Sequence, residues 1–269
     1  MALMLNAADI DHFRTHGWVT APAFWNQSEL AAMRDSLDKL MIQGKLRNVA
    51  TAGDGTTPTE IETNLQLVPM APHSEFFQCM AHAEKARSAV AALIGAPFRL
   101  HLDQVFLKPP RVGTGTNWHQ DNAYFHIRNP LLGVAMWTAV HDANTTSGTL
   151  KVIPDVFTKK IKHTRDRMSD HHIRCFPDEA RAITLEVEAG SVVFFCYGTP
   201  HTTTDNQSAY PRAGIAIHYL HHGEVESAIG GYPDRDLVAD ETGGPAQPDR
   251  CTRFDELTAP FSNDQDSAV

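Results

Sequence analysis

Hydrophobic positions give the chain two textures. Up to residue 94 they recur at helical intervals, and from Phe98 onward they alternate or run in short apolar blocks. Leu30, Met33, Leu37 and Leu40 form one stripe at three- and four-residue spacing, which predicts an amphipathic helix capped by Asn26 or Ser28. Residues 7–15 read as a shorter helix with Asn6 as N-cap, ended by Gly17. Trp18, Val19 and Thr20 follow as a brief strand stopped by Pro22. Residues 47–58 are rich in Gly and Thr and read as a loop, of the kind that serves as a lid. Residues 61–68 alternate weakly, like a strand. Residues 74–94 are Ala-rich and read as one helix, closed by Gly95 and Pro97.

Residues 98–107 then alternate for most of their length, up to Pro109 and Pro110. Further strand candidates lie at 134–140, 149–153, 183–187, 191–195 and 214–220, each bounded by turn residues. Many short strands without intervening helices argue for an antiparallel sandwich or barrel, and a cupin-like jelly roll is one such architecture. The expected organisation is a single unit over 1–269: a helical part at about 1–97, a β-sandwich core at about 98–222 and a C-terminal extension at 223–269.

Composition narrows the function classes. A formal net charge of −9 argues against non-specific binding to nucleic acid or to anionic membranes. Cys79, Cys175, Cys196 and Cys251 are far apart and match no zinc spacing, so they read as free thiols in a reducing compartment. The first residues have neither a basic segment nor an apolar core of a secretory signal. No apolar run approaches the ~20 residues of a membrane helix. The expected location is the cytoplasm, and the polar residues 262–269 read as a frayed tail.

Candidate chemistry centres on residues 117–124, where His119 and Asp121 lie two apart. On a strand, such a pair points one way. With one more imidazole it makes the two-His-one-carboxylate face that suits non-haem Fe(II). The spacing alone is weak, because His101 and Asp103 share it, and His73 with Glu75 and His82 with Glu84 are near variants. Context separates them. His73 and His82 fall in helical sequence, where residues two apart do not share a face. His101 and Asp103 lie mid-strand with no evident third partner, whereas His119 and Asp121 follow a loop and precede Tyr124 and Phe125, at the mouth of a strand. The third ligand is then expected at His201, just after the apolar run 191–196 and the break at Gly198-Thr199-Pro200. Eleven residues on, Arg212 opens a strand on which Arg212, Gly214 and Ala216 share one face and Ala213, Ile215, Ile217 and Tyr219 the other. A cation followed by small residues leaves room for a bound carboxylate beside a planar guanidinium. Taken singly, a loop histidine is usually solvated, and Arg212 has Asp205 as an alternative partner.

The order Lys108-Pro109-Pro110, Trp118-His119-Gln120-Asp121-Asn122, Trp137, Gly190 to Phe195, His201 and Arg212 resembles the phytanoyl-CoA dioxygenase family of Fe(II)/2-oxoglutarate oxygenases. The opening, Phe13 followed by Gly17-Trp18-Val19 and a helix, is similar to that family's N-terminal part. The resemblance implies a double-stranded β-helix core, with iron held by His119, Asp121 and His201. It implies Arg212 on the distal carboxylate of 2-oxoglutarate, Thr203 beside it, and Trp137 and Gln104 lining the pocket. Where several members place a Lys on the strand at 61–68, this chain has Asn64 and Gln66. The implied reaction consumes O2 and 2-oxoglutarate, releases succinate and CO2, and hydroxylates or otherwise oxidises a small-molecule metabolite. The presence of Asp121 favours hydroxylation over halogenation. Residues 159–174 form a basic loop, and His171, His172 and Arg174 are candidates for holding an anionic substrate; the alternative is a solvated charge run. Two other classes remain: a cupin-like metal or small-molecule binding protein without turnover, and a zinc hydrolase. Neither accounts for Arg212.

Overall fold

The computed structural model describes residues 5–231 and 236–260, so the tail at 262–269 lies outside the described residues. Helix α1 spans Ala7–His16. Its cap is reciprocal: Asn6 accepts from the Ala8 and Asp9 amides, and the Asp9 carboxylate accepts from the Asn6 amide. Strand β1 (Trp18–Ala21) follows, then α2 (Gln27–Ile42). Asn26, not Ser28, caps α2, in a second capping box with Glu29, and Leu30, Met33, Leu37 and Leu40 are all buried.

The segment read as a loop begins with a short strand, β2 (Arg47–Asn48), paired with β3 (Leu65–Leu67). The strand read over 61–68 is confined to those three residues. The remainder of the loop is tied to residues 165–170: Thr51 Oγ1 donates to Arg167 O (2.6 Å), Asp170 N to Val49 O (3.1 Å), and Arg47 pairs with Asp170. The single helix expected at 74–94 is two, α3 (Glu75–Met80) and α4 (Glu84–Ile94). At the break, Ala81 O accepts from Tyr219 Oη (2.9 Å) and His82 is fully buried. Tertiary partners there replace the intrahelical bonds that an Ala-rich sequence favours.

The remaining elements are β4 (Phe98–Lys108), β5 (Thr116–His119), α5 (Asn122–Phe125), β6 (Gly133–Ala139), β7 (Leu150–Val152), β8 (Thr164–Arg165), β9 (Ile173–Arg174), β10 (Ile183–Leu185), β11 (Val192–Cys196), β12 (His201–Thr203), β13 (Arg212–His221), β14 (Leu237–Ala239) and α6 (Pro248–Thr258). The large sheet runs β1-β11-β6-β13-β4-β3-β2, with β14 also beside β4. The small sheet runs β10-β7-β12-β5, and β8 and β9 form a separate ribbon. Named strand pairs are antiparallel. This is the expected jelly roll, with helices on the outer face of the large sheet.

Strand β13 shows how the two faces divide. Ala213, Ile215, Ile217 and Tyr219 join the core under the helices, with Leu30, Met33 and Val90. Arg212, Ala216 and His218 face the interior between the sheets and line a cavity. A second apolar cluster, including Trp137, Leu150, Val152 and Phe195, joins the sheets there. Helix α6, unread in the sequence, closes the far side with Phe254 against Trp25 and Phe76.

His101 and Asp103 on β4 serve this framework. His101 is hydrogen-bonded to Tyr197 Oη (3.0 Å) and faces Gly230 O (3.3 Å). Asp103 Oδ2 accepts from the Met70 and Ala71 amides, both at 2.7 Å. A buried carboxylate that satisfies two backbone donors contributes roughly 1.5–3 kcal/mol per charged bond. Asp103→Ala is therefore expected to lower stability by roughly 2–4 kcal/mol, read as a lower urea midpoint with the slope unchanged, while the number of metal ions bound stays the same.

Candidate active site

β5 and β12 are neighbours in the small sheet, and their register sets His119 opposite His201. The two rings lie with centroids 4.2 Å apart. Each ring is anchored through Nδ1 to a carbonyl two residues upstream: His119 to Asn117 O (2.8 Å) and His201 to Thr199 O (3.0 Å). Only a protonated Nδ1 can donate to a carbonyl, so in each neutral ring the lone pair sits on Nε2.

Asp121 arrives differently from the sequence expectation. β5 ends at His119, and Asp121 has helical backbone angles (φ −58°, ψ −32°) at the start of α5. The convergence is therefore made by a turn, not by strand alternation. Gln120 clamps that turn: its amide donates to Gly198 O (2.6 Å) and Lys159 O (2.8 Å), and its Oε1 accepts from Ile161 N (3.0 Å). Asn122 N donates to Tyr197 O (2.8 Å). As a result Asp121 Oδ1 lies 3.7 Å from His119 Nε2 and 3.8 Å from His201 Nε2. The three ligand atoms all fall within 4.8 Å of one another, the one such grouping of His, Cys, Asp or Glu among the described residues.

Three acceptors facing one another in a buried site repel unless a cation lies between them. Burial pushes His119 and His201 down to about 4, with His201 adding to the shift on His119, and pushes Asp121 up to about 6. The donor set, two imidazoles and one carboxylate, is the one that suits non-haem Fe(II).

A cavity of about 330 Å³ contains this triad and continues to Arg212, Thr203, Trp137 and Gln104. Arg212 is 1% exposed. One of its amino groups donates to Gly148 O (2.6 Å), its Nε is buried without a partner, and no pairing with Asp205 occurs. Instead Asp205 accepts from Gly115 N (2.8 Å). Burial lowers Arg212 to about 9. Lys108, fully buried beside it, reaches toward the same Gly148 carbonyl (3.4 Å), and burial followed by the Arg212 charge holds it well below its usual value. Lys108 also donates to Thr204 O and Thr203 Oγ1, so its protons are spent on protein oxygens, whereas the Arg212 Nε is left for a bound acceptor. Lys108 Nζ (2.7 Å) and Thr116 N (3.1 Å) both donate to Thr203 Oγ1, so the Thr203 proton is left to donate to something else. Trp137 lies beside the guanidinium, 5.8 Å from ring centroid to Arg212 Cζ. Gly214 makes space for that indole, since a Cβ there would come within 2.5 Å of it. Gly148, at φ +82°, brings its backbone so close that a Cβ would sit 2.3 Å from Thr204 O.

The cavity also takes in Gln66, Tyr124, His171, His172 and His218. His172 is buried and held well below its usual value by that burial, then by His171. Arg174 does not line the cavity, and its guanidinium lies 4.7 Å from the Phe176 ring centroid. Gln104 lines it, but its amide is engaged by Gln66 and His218. Gln66, Gln120 and His218 were not singled out as site residues from the sequence. His218 was accessible to the strand-face argument, lying two residues beyond Ala216. The clamp made by Gln120 depends on loop positions that no local pattern encodes.

Comparison with known proteins agrees with this geometry. A profile of the phytanoyl-CoA dioxygenase (PhyH) family matches residues 13–214. Ectoine dioxygenase of Halomonas elongata is 24% identical over 236 residues, 80% of this chain and 70% of that protein. Methylphosphonate hydroxylase of Gimesia maris is 23% identical over 254 residues, 91% of this chain and 93% of that protein. Among solved structures, the non-haem alpha-ketoglutarate-dependent carbocyclase SnoK of nogalamycin biosynthesis shares the fold, with a TM-score of 0.68 at 19% identity over 81% of this chain and 84% of that one. With a profile spanning most of the chain, a jelly roll of the same build and a His-Asp-His cluster that could hold a metal ion, the chain belongs to the phytanoyl-CoA dioxygenase family of Fe(II)/2-oxoglutarate-dependent oxygenases.

Proposed function

We propose that this chain oxidises a small molecule by hydroxylation or a related step. In this reading Fe(II) is held by His119, Asp121 and His201, and 2-oxoglutarate by Arg212, Thr203 and Trp137. The observation that carries the proposal is the combination, in one cavity, of three mutually facing acceptors and a buried guanidinium with no anionic partner among the described residues. A metal-binding protein without turnover would have no use for Arg212, and neither would a zinc hydrolase. Bound together, iron and 2-oxoglutarate supply oxidation by O2 coupled to release of succinate and CO2. The chain's own contribution is positional. Nδ1–H bonds fix both imidazoles, Gln120 fixes the turn, and Lys108 orients the Thr203 hydroxyl. We place the unit over residues 1–269 and in the cytoplasm, in keeping with four free cysteines, and no described helix is long and apolar enough to cross a membrane.

We also propose that the substrate is anionic and is drawn in by the loop at 159–174. His171 and His172 line the cavity, while Lys159, Lys160 and Lys162 of the same loop are exposed. The relative from Gimesia maris is named for an anion, methylphosphonate.

Three measurements test these readings. His119→Ala, Asp121→Ala and His201→Ala should each abolish Fe(II)-dependent succinate release and weaken Fe(II) binding. In the parent, affinity should be level above about pH 7 and drop about tenfold per unit below the Asp121 value of about 6, because a proton on that carboxylate competes with the metal, whereas the histidines stay neutral until about 4. Metal affinity independent of pH from 5 to 7 would contradict this ligand set. Arg212→Leu should weaken 2-oxoglutarate by roughly 2–5 kcal/mol, and Arg212→Lys should restore only part, since an ammonium lacks the planar fork; an unchanged KM in both would remove Arg212 from the site. For the substrate, kcat/KM should fall as ionic strength shortens the Debye length from ~30 to ~8 Å, and changing Lys159, Lys160 and Lys162 together to Gln should flatten that dependence. A flat profile in the parent enzyme would argue for a neutral substrate.

A further inference from the structure

Beside the triad lies a chain of polar side chains, buried His218 and Gln66 joined through the half-buried Gln104, that the proposed ligand set does not use. His218, on β13, is 2% exposed and packed between Phe125 and Tyr197, with ring centroids 5.7 and 5.8 Å away. Its Nδ1 lies 3.7 Å from Asp121 Oδ2. Among the described residues both atoms are buried and without a hydrogen-bond partner. On the other side of the ring, His218 Nε2 faces Gln104 Nε2 at 3.3 Å, and Gln104 Oε1 faces Gln66 Nε2 at 2.9 Å.

The polarity of this chain follows from chemistry. An amide nitrogen donates and does not accept, so His218 Nε2 must be the acceptor and the ring proton sits on Nδ1. That N–H then points toward Asp121 Oδ2, the oxygen turned away from the two ligand histidines. The opposite polarity would reverse both amides, put the proton on Nε2 and turn the Nδ1 lone pair toward the carboxylate. Two acceptors facing each other in a buried site are disfavoured. The carboxylate therefore sets the direction of the whole chain.

We propose that His218 is a positioning residue for Asp121, its Nδ1–H tautomer set by the carboxylate and reinforced by Gln104 and, behind it, Gln66. This rests on the reading of His119, Asp121 and His201 as the metal centre. The relay steers Oδ2 toward a donor and leaves Oδ1 to the metal, so that the carboxylate binds through one oxygen. Groups that orient a ligating side chain typically contribute 10–100-fold in metal affinity. In the free-standing view Gln104 and Gln66 act through His218, not on the metal.

The test uses the full chain loaded with Zn(II), a diamagnetic probe of the same site, and reads the imidazole 15N shifts. His218 should show a protonated Nδ1 and an unprotonated Nε2, and Gln104→Leu should weaken that preference without reversing it, because the Asp121 carboxylate still faces Nδ1. In parallel, Co(II) titration followed by its visible absorption should give affinity about 10–100-fold weaker in His218→Leu, a smaller loss in Gln104→Leu, and no further loss in the double variant, as expected for residues acting in series. A His218 proton on Nε2, a 15N shift showing His218 itself bound to metal, or additive losses in the double variant would overturn the relay. If His218→Leu does not fold, the tautomer measured in the parent decides alone. If instead His119→Ala binds Co(II) as tightly as the parent, the metal-site reading fails, and that outcome is distinct from normal triad behaviour with an indifferent His218.

Discussion

Three hydrogen-bond acceptors face one another inside the sandwich, and the buried Arg212 guanidinium lies in the same cavity with no anionic partner among the described residues. Acceptors so placed repel one another unless a cation lies between them. Their placement depends on the pairing of β5 with β12, which sets the two imidazoles across from each other, and on carbonyl anchors that turn both Nε2 atoms inward. The carboxylate is then supplied by a turn pinned at Gly198 and at the 159–161 loop. A one-residue slip between these strands would turn one imidazole to the opposite face.

Strand β13 connects this arrangement to the stability of the whole. Its outward side chains are core to the helices, so the strand cannot shift without exposing Ile215, Ile217 and Tyr219. Its inward side chains present Arg212, then the space over Gly214 that Trp137 fills, then Ala216 and His218. A rigid strand is a better support for such groups than a loop, because each side chain's direction is fixed by the pleat. The apolar residues under the helices thus hold the chemistry in register from behind.

Another part of the cavity wall is built from loops. Loop residues bring His171 and His172 to the cavity, and the 47–58 segment is fastened to that loop by the Thr51 bond and the Arg47–Asp170 pair. Relatives named for ectoine, methylphosphonate and phytanoyl-CoA match the same chain at 20–28% identity. A shared framework with differing walls is what lets one fold serve unlike substrates. In this chain the cavity wall also carries Gln66 and Gln104, and their amides are committed to each other and to His218.

The sequence by itself determined helices followed by an antiparallel sandwich or barrel, the cap of α1, the apolar stripe of α2 and the division of faces on β13, because each follows from local periodicity or capping chemistry. For α2 it left Asn26 and Ser28 as caps, and the structure selects Asn26. Its strand-end context favoured His119, Asp121 and His201 over His101 and Asp103, and the structure brings the first three together. Only the tertiary structure decided how Asp121 reaches the histidines, because a turn and a strand carry the same His-x-Asp spacing. It likewise broke the helix at residues 81–83, where Tyr219 is a partner distant in sequence. It turned Arg174 toward Phe176 and placed His218 behind the carboxylate. Those outcomes rest on contacts between segments distant in sequence or on side-chain direction within loops, and neither leaves a periodic trace in the sequence.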